Sequence, residues 1–230
     1  HVEYHFAGEG KTLTFPWDKG LTAYDAMAHY DEIGWTDYKH AESGAPILKA
    51  QHPDFETWSQ GIHAANGVTC ADCHMAYQRN GAGKVSNHQI MSPMASDESI
   101  NASCLTCHHS TEAEMRQRVD NIQTTWQNSL NVSFTALEAL INDIKAADAN
   151  GTATEEQLTL ARDYQRKAQF VVDYSFSENG RGFHAPQYSV SMLNQATDWA
   201  RSGQLALRGV SVENGKPSAI PEKHSPEKKN

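Results

Sequence analysis

At 230 residues the chain is long enough for one large domain or two small ones, and its net charge of −9 argues against nucleic acid, whose phosphates need a basic footprint. Hydrophobic residues make up 39% and mean hydropathy is −0.63, a lean core for this length. No apolar run approaches the roughly 18 residues of a transmembrane helix.

The chain begins His1-Val2-Glu3-Tyr4, without methionine or an apolar leader, and is therefore expected to be a processed product or a fragment. Residues 1–50 are aromatic-rich and expected to be irregular, because Gly8, Gly10, Pro16, Gly20, Gly34, Gly44 and Pro46 interrupt them too often for long elements. Thr22 to Tyr30 reads as a short helix with Thr22 capping and Asp25 in its first turn. Pro53 keeps His52 out of the right-handed helical region. Asp54 to Gly61 reads as a second short helix.

Residues 62–110 carry the chemistry. Cys70-Ala71-Asp72-Cys73-His74 and, 34 residues on, Cys104-Leu105-Thr106-Cys107-His108 use all four cysteines of the chain. C-x-x-C-H is the attachment sequence of c-type haem: two thiols add across the porphyrin vinyl groups, and the next histidine is placed to ligate the iron. A Cys₄ zinc ribbon is the competing reading. Against it, a histidine follows each pair directly, and the 30-residue spacer exceeds the roughly 15–20 of the common zinc pattern. Haem would also explain the lean core, since porphyrin supplies apolar surface. Covalent haem is attached outside the cytoplasm, so a periplasmic location is expected. Loops are expected at Asn80-Gly81-Ala82-Gly83 and at Ser92-Pro93, with little regular structure beyond the turns that carry the motifs.

From Thr111 the texture changes. Met115, Val119, Ile122, Trp126, Leu130, Phe134, Leu137, Ile141 and Ile144 recur at spacings of three and four, one face of a helix. At 1.5 Å per residue, about 35 residues make a helix of roughly 50 Å. Asn150-Gly151 should stop it, and Thr152 with Glu155 offers a capping box for the next. That second helix carries Leu158, Ala161, Tyr164, Ala168, Val171 and Val172 and should stop before Asn179-Gly180. A third comes after Ala185-Pro186 and should bury Tyr188, Met192, Leu193, Ala196 and Trp199. The expected fold is mainly α: an irregular multihaem c-type cytochrome region (1–110), then long antiparallel helices (111–208), with little β. An antiparallel helical pair is predicted, the longer helix contributing to a homodimer. Residues 209–230 read as a weakly ordered tail.

Histidine is the second signal, with twelve in the chain. Electron-transfer haems are commonly six-coordinate, so His74 and His108 each need a partner across the ring. His63, His88 and His184 are placed to serve. His5, His29, His40, His109 and His224 read as ordinary histidines. Three candidates for two haems leave one spare, which suggests a further haem held by a segment outside this chain. His1 gives the same hint, since it would complete a C-x-x-C-H cut just before it.

In order along the chain, His1-Val2-Glu3-Tyr4, Lys49-Ala50-Gln51-His52, Gly61-Ile62-His63, both C-x-x-C-H motifs, His88 and His184-Ala185-Pro186 resemble the ammonia-forming cytochrome c nitrite reductases, which are periplasmic pentahaem enzymes. The resemblance extends to about residue 205 and covers the C-terminal half of that family's sequence. It implies that His1 is the proximal ligand of a third haem. Cys70, Cys73 and His74 would then form the fourth haem site, and Cys104, Cys107 and His108 the fifth. It further implies that His63 is the distal ligand of the fifth haem, His184 of the fourth and His88 of the second. Glu3 and Gln51 match side-chain ligands of a Ca²⁺ site to which Tyr4 and Lys49 give backbone carbonyls. Tyr4 and His52 match two residues around bound nitrite. Calcium's preference for hard oxygen donors suits that set, and the ion would add positive potential where an anion binds.

The family's lysine-ligated catalytic haem and the arginine of its substrate pocket have no counterpart here, and His5 stands where many members carry a second tyrosine. The resemblance implies six-electron reduction of nitrite to ammonium by the complete protein, with two haems attached in this chain and five overall. A periplasmic or membrane-anchored cytochrome would be the electron donor, and the fragment alone is expected to be inactive. The alternative is a non-catalytic multihaem electron-transfer cytochrome, which would have no use for Glu3, Tyr4, Gln51 and His52 as a set.

Overall fold

The computed structural model describes residues 20–210, together with the backbone of two short paired strands before them, β1 (His5–Ala7) and β2 (Thr12–Thr14). The expectations resting on His1, Glu3 and Tyr4, and those for the tail beyond Val210, lie outside the described residues.

Helix α1 (Ala23–Glu32) starts at a reciprocal cap: Thr22 Oγ1 accepts from Asp25 N at 3.1 Å, and Asp25 Oδ2 accepts from Thr22 N at 2.9 Å. The antiparallel strands β3 (Tyr38–Lys39) and β4 (Pro46–Ile47) come next. After them lie α2 (Asp54–Ser59), α3 (Ile62–Ala65) and α4 (Cys70–His74). The hairpin β5 (Tyr77–Asn80) with β6 (Gly83–Ser86) leads to α5 (Asp97–Ser103), which runs into a 3₁₀ turn at Cys104–Thr106. Regular structure here exceeds the sequence expectation. The β5–β6 turn places Gly81 at its first central position with φ 61°, as a type II′ hairpin requires.

Three long helices complete the fold: α6 (Glu112–Asn150), α7 (Glu155–Phe176) and α8 (Pro186–Ala206). The mainly α reading holds. The helical pair becomes a trio, because α8 packs against both α6 and α7. Its Ala196 and Ala200 lie in the core, and at Gly203 a Cβ would stand 2.7 Å from Leu140 Cδ1, so small residues let the helices close up. Leu130, Leu140 and Ile144 of α6, Phe170 and Val171 of α7, and Met192 and Leu193 of α8 are almost wholly buried. Ser133 Oγ, also buried, donates to Leu193 O at 2.7 Å.

Two details of the helix reading change. The cap of α7 is Thr154 with Gln157, not Thr152 with Glu155. Thr152 instead ends α6: its N–H donates to Ala147 O at 3.1 Å beyond Gly151, which sits in the left-handed region at φ 60°, a terminating arrangement that leaves it no role in starting the next helix. The apolar stripe of α6 also splits. Trp126, Leu130, Leu137 and Ile144 enter the core with Leu140 and Ala147, whereas Phe134 is 42% exposed. A face carrying Phe134, with Phe176 edge-on to it at 5.9 Å, is left outside.

Arg166 of α7 fixes the 31–47 segment onto the helices. Its guanidinium donates to Asp31 Oδ1 at 2.9 Å, Trp35 O at 2.8 Å and Pro46 O at 3.1 Å. Asp173, one turn from the end of α7, accepts from Ala50 N at 2.9 Å and from Lys49 Nζ at 3.2 Å. The start of the haem-motif region is thereby anchored to the helical trio.

Candidate functional site

Each motif folds into a tight turn. Thr69 and Asp72 cap α4 reciprocally, with Thr69 N donating to Asp72 Oδ2 at 2.7 Å. Helical spacing then sets Cys70, Cys73 and His74 on one side. The second motif is held by Cys107 N and His108 N, which both donate to Cys104 O, at 3.2 and 2.9 Å. None of the four cysteines pairs in a disulfide. The two turns are neighbours: burial and then the nearby Cys104, Asp72, Cys70 and Cys107 push the Cys73 thiol up to about 11.

The thiols do not converge into a zinc site. Among the described residues, the set of three or more ligand atoms lying within 4.8 Å of one another is Asp54, Glu178 and His184, with no cysteine in it. A tetrahedral Cys₄ site would bring its sulfurs closer than that, since each bonds the metal at about 2.3 Å.

Histidines from distant parts of the chain instead meet in pairs. The rings of His63, on α3, and His108 lie 6.2 Å apart between centroids at an interplanar angle of 89°. His74, ending α4, faces His184, just before α8, at 6.2 Å and 65°. An imidazole nitrogen binds a transition metal at about 2 Å and sits about 1 Å from its ring centroid, so two rings sharing one iron place their centroids about 6 Å apart. Both pairs have that spacing, and each contains one motif histidine.

The His74–His184 pair is also oriented by hydrogen bonds. His74 Nδ1 lies 3.0 Å from Met91 O, and since a carbonyl only accepts, the proton is on Nδ1 and Nε2 carries the lone pair. His184 Nδ1 bonds Glu178 Oε1, again leaving Nε2 for a ligand. Glu178 is 3% exposed and its carboxylate accepts from Gly180 N at 2.7 Å and Gly182 N at 3.0 Å. Burial disfavours the charged form of both partners, but the hydrogen bond and attraction between them prevail, lowering the Glu178 carboxyl and raising the His184 imidazole from their ordinary ranges. Burial, then the neighbouring His108 and His184, lowers His63.

Glycines permit this close assembly. A Cβ on Gly61 would lie 2.0 Å from His184 O, and one on Gly182 would lie 2.8 Å from the ring of Trp126, whose Nε1 is held by Ser175 Oγ at 2.9 Å. Phe183 packs on His63 with centroids 6.1 Å apart. Asp54 accepts from Asn179 N at 2.9 Å and Asn179 Nδ2 at 3.0 Å, which ties α2 to the Glu178–His184 loop. Glu178 thus holds the His184 ring directly, and Asp54 holds the loop that carries both through Asn179.

The remaining candidates stand apart. His88 is exposed between β6 and α5 and belongs to neither ring pair. Lys49 N donates to Asp37 Oδ2 at 2.8 Å and Ser177 Oγ to Ala50 O at 3.1 Å, so the backbone leading to the exposed Gln51 is fixed on two sides. His52 is exposed, with φ 51°, a left-handed conformation uncommon outside glycine. Glu178 and Asp54 carry no signal in the sequence. A lone acid before Asn179-Gly180 looks like surface, and only its burial beside His184 shows otherwise.

Two cysteine pairs, each followed by a histidine that faces a second imidazole, make a c-type haem arrangement, and the chain matches the cytochrome c552 family over residues 1–230. It belongs to that family. Cytochrome c-552 of Porphyromonas gingivalis is 42% identical over 221 residues, covering 96% of this chain and 44% of the relative. That of Haemophilus influenzae is 37% identical over 217 residues, covering 94% and 39%. The chain thus spans less than half the length of these curated relatives. In structure it is similar to the catalytic subunit of the cytochrome c nitrite reductase of Desulfovibrio desulfuricans, with a TM-score of 0.77 and 31% identity over 90% of this chain and 47% of that one. Cytochrome c552 proteins are multihaem c-type cytochromes of the periplasm, and the motifs at Cys70/Cys73 and Cys104/Cys107 are consistent with covalent haem attachment.

Proposed function

We propose that the complete protein is an ammonia-forming nitrite reductase, carrying out the six-electron reduction of nitrite to ammonium. The observation that carries this reading is the pair of facing imidazole couples, each with one motif histidine, in a chain of the cytochrome c552 family. Cys70, Cys73, His74 and His184 would hold one haem, and Cys104, Cys107, His108 and His63 another. Haem so held supplies one-electron redox chemistry. Five haems are expected in the complete protein, with His1 serving a third. The exposed His88 would serve the second haem, carried outside this chain, which would account for a ligand candidate that neither pair uses.

The chain's own contribution to substrate chemistry centres on His52, with Tyr4. His52 would donate a hydrogen bond to a nitrite oxygen and deliver a proton as an N–O bond breaks, while Tyr4 would hydrogen-bond the reduced nitrogen species. A left-handed non-glycine residue costs about 1–3 kcal/mol, and such residues cluster at active sites and ligand clamps. The φ of 51° at His52 supports its selection for a role. For Ca²⁺, the described half of the set is the Lys49 carbonyl and the Gln51 amide, both hard oxygen donors on a segment anchored by Asp173 and Ser177. Glu3 and the Tyr4 carbonyl would complete it.

A homodimer through the long helices is supported by the exposed Phe134, Val132 and Phe176, beside a 370 Å³ cleft lined by Phe134, Leu137, Ile141, Val172 and Phe176 among others. A periplasmic or membrane-anchored cytochrome would deliver the electrons. The deciding experiment is nitrite-dependent oxidation of a reduced viologen dye by the complete, haem-replete protein, with ammonium measured as product. Turnover to ammonium supports the reading. A haem-replete protein without turnover would be a non-catalytic electron-transfer cytochrome.

A further inference from the structure

The two members of the His74–His184 couple are held by different groups. His74 Nδ1 donates to the neutral carbonyl of Met91 at 3.0 Å. His184 Nδ1 meets the carboxylate of Glu178, whose side chain is only 2% exposed. That carboxylate is built into its place. Its two oxygens also accept from Gly180 N and Gly182 N, and a Cβ on Gly180 would lie 2.6 Å from Glu178 Oε1 and 2.7 Å from His184 Nδ1. Gly182 abuts Trp126, and Asp54 grips the intervening Asn179, so the loop has little room to shift. Among the described residues, no carboxylate bonds the rings of His63, His74 or His108. A buried carboxylate held by two backbone N–H groups and facing a ring nitrogen has a stronger electrostatic effect than the same contact in water.

We propose that Glu178 is a positioning and potential-setting residue. It fixes the plane of His184 and, by accepting a hydrogen bond from Nδ1–H while staying ionised, makes Nε2 a stronger donor, so that a haem held by His74 and His184 would have a lower reduction potential than with a neutral acceptor. This rests on the reading that His184 ligates that haem. The physical basis is charge: negative charge shared into the ring favours ferric over ferrous iron, and hydrogen bonds to ligands together with burial are the protein's means of setting such potentials. The haem held by this couple would then resist reduction more than it would with a neutral acceptor in place of Glu178.

The test uses the complete, haem-loaded protein and its Glu178→Gln, Glu178→Asp and His184→Ala variants. Potentiometric titration is monitored by EPR and magnetic circular dichroism, and covalent haem is counted by pyridine haemochrome. His184→Ala should convert one low-spin haem to high-spin. Glu178→Gln should keep that haem low-spin and the haem count unchanged, while shifting one potential upwards by a tenfold or larger change in the redox equilibrium, about 59 mV per tenfold for one electron. Glu178→Asp, which keeps the charge at a longer reach, should shift the same potential in the same direction by less. If Glu178→Gln fails to load haem, the aspartate variant is read alone. Unmoved potentials, with His184→Ala turning one haem high-spin, would overturn the role of Glu178 and leave the ligand reading intact. An unchanged low-spin complement in His184→Ala would overturn the ligand reading, and the proposal with it.

Discussion

Gly61→Ala separates packing from backbone preference at the point where the haem-motif region meets the helices. Gly61 has φ −94° and ψ 160°, an extended conformation open to any residue, so alanine meets no torsional obstacle. The obstacle is steric. The new Cβ would lie 2.0 Å from His184 O, 3.1 Å from Trp58 O and 3.2 Å from His184 C, all backbone atoms that cannot rotate away. Relief requires the α2–α3 corner and the His184 loop to separate by about 1 Å, and overpacking of this kind costs about 1–3 kcal/mol. For a chain of this size each kcal/mol lowers Tm by about 2–4 °C, so a fall of about 2–12 °C is expected. Because His63 and His184 ride on the two segments being forced apart, part of the low-spin haem signal should be lost as well. The assay is thermal unfolding monitored by circular dichroism, alongside the visible haem spectrum. Gly67→Ala is the control. Gly67 has φ 73° and open space around it, so alanine there should cost about 1 kcal/mol in stability and leave the haem spectrum unchanged. A Gly61→Ala protein with unaltered Tm and low-spin signal would refute the close-approach argument.

Other substitutions test the anchors and faces. Arg166→Met should cost about 2–4 kcal/mol by chemical denaturation, because it strands Asp31 and the carbonyls of Trp35 and Pro46; the exposed half of Asp31 keeps the loss below that of a fully buried pair. An unchanged denaturation midpoint would remove Arg166 as the clamp. Thr154→Ala should cost about 1 kcal/mol as a lost N-cap whereas Thr152→Ala should be nearly neutral, and the reverse order would restore Thr152 with Glu155 as the cap. His52→Gly should stabilise the fold by about 1 kcal/mol through relief of its left-handed backbone, set partly against glycine's greater freedom when unfolded. The same change should lower nitrite turnover by about 10²-fold or more, and full activity would remove His52 from proton delivery. Phe134→Asp should weaken self-association in sedimentation experiments at a cost of about 1–2 kcal/mol to the monomer, since the ring is partly exposed but packs edge-on to Phe176 and aspartate is a poor helix former.

Haem attachment is legible in the residues themselves, because C-x-x-C-H is a local code: one turn of helix or 3₁₀ backbone places two thiols and an imidazole together whatever surrounds it. The three long helices are legible for the same reason, their period and stops being written over a few residues at a time. Short-range competition decides the one capping error, where Thr152 is consumed by the end of α6 before it can begin α7. Facing of rings is another matter. The residues alone offer His63, His88 and His184 for two positions, and nothing local distinguishes them. It takes the α2–α3 corner lying against the His184 loop through Gly61 to bring His63 opposite His108 and His184 opposite His74, while His88 stays exposed. Glu178 becomes visible only through its burial, since a carboxylate's role depends on whether water or an imidazole answers it. Covalent chemistry and helix periods are thus determined by neighbours in the chain. The facing of the imidazole rings, the buried carboxylate and the division of the α6 stripe into core and open face are decided by contacts between segments far apart, which no window of sequence contains.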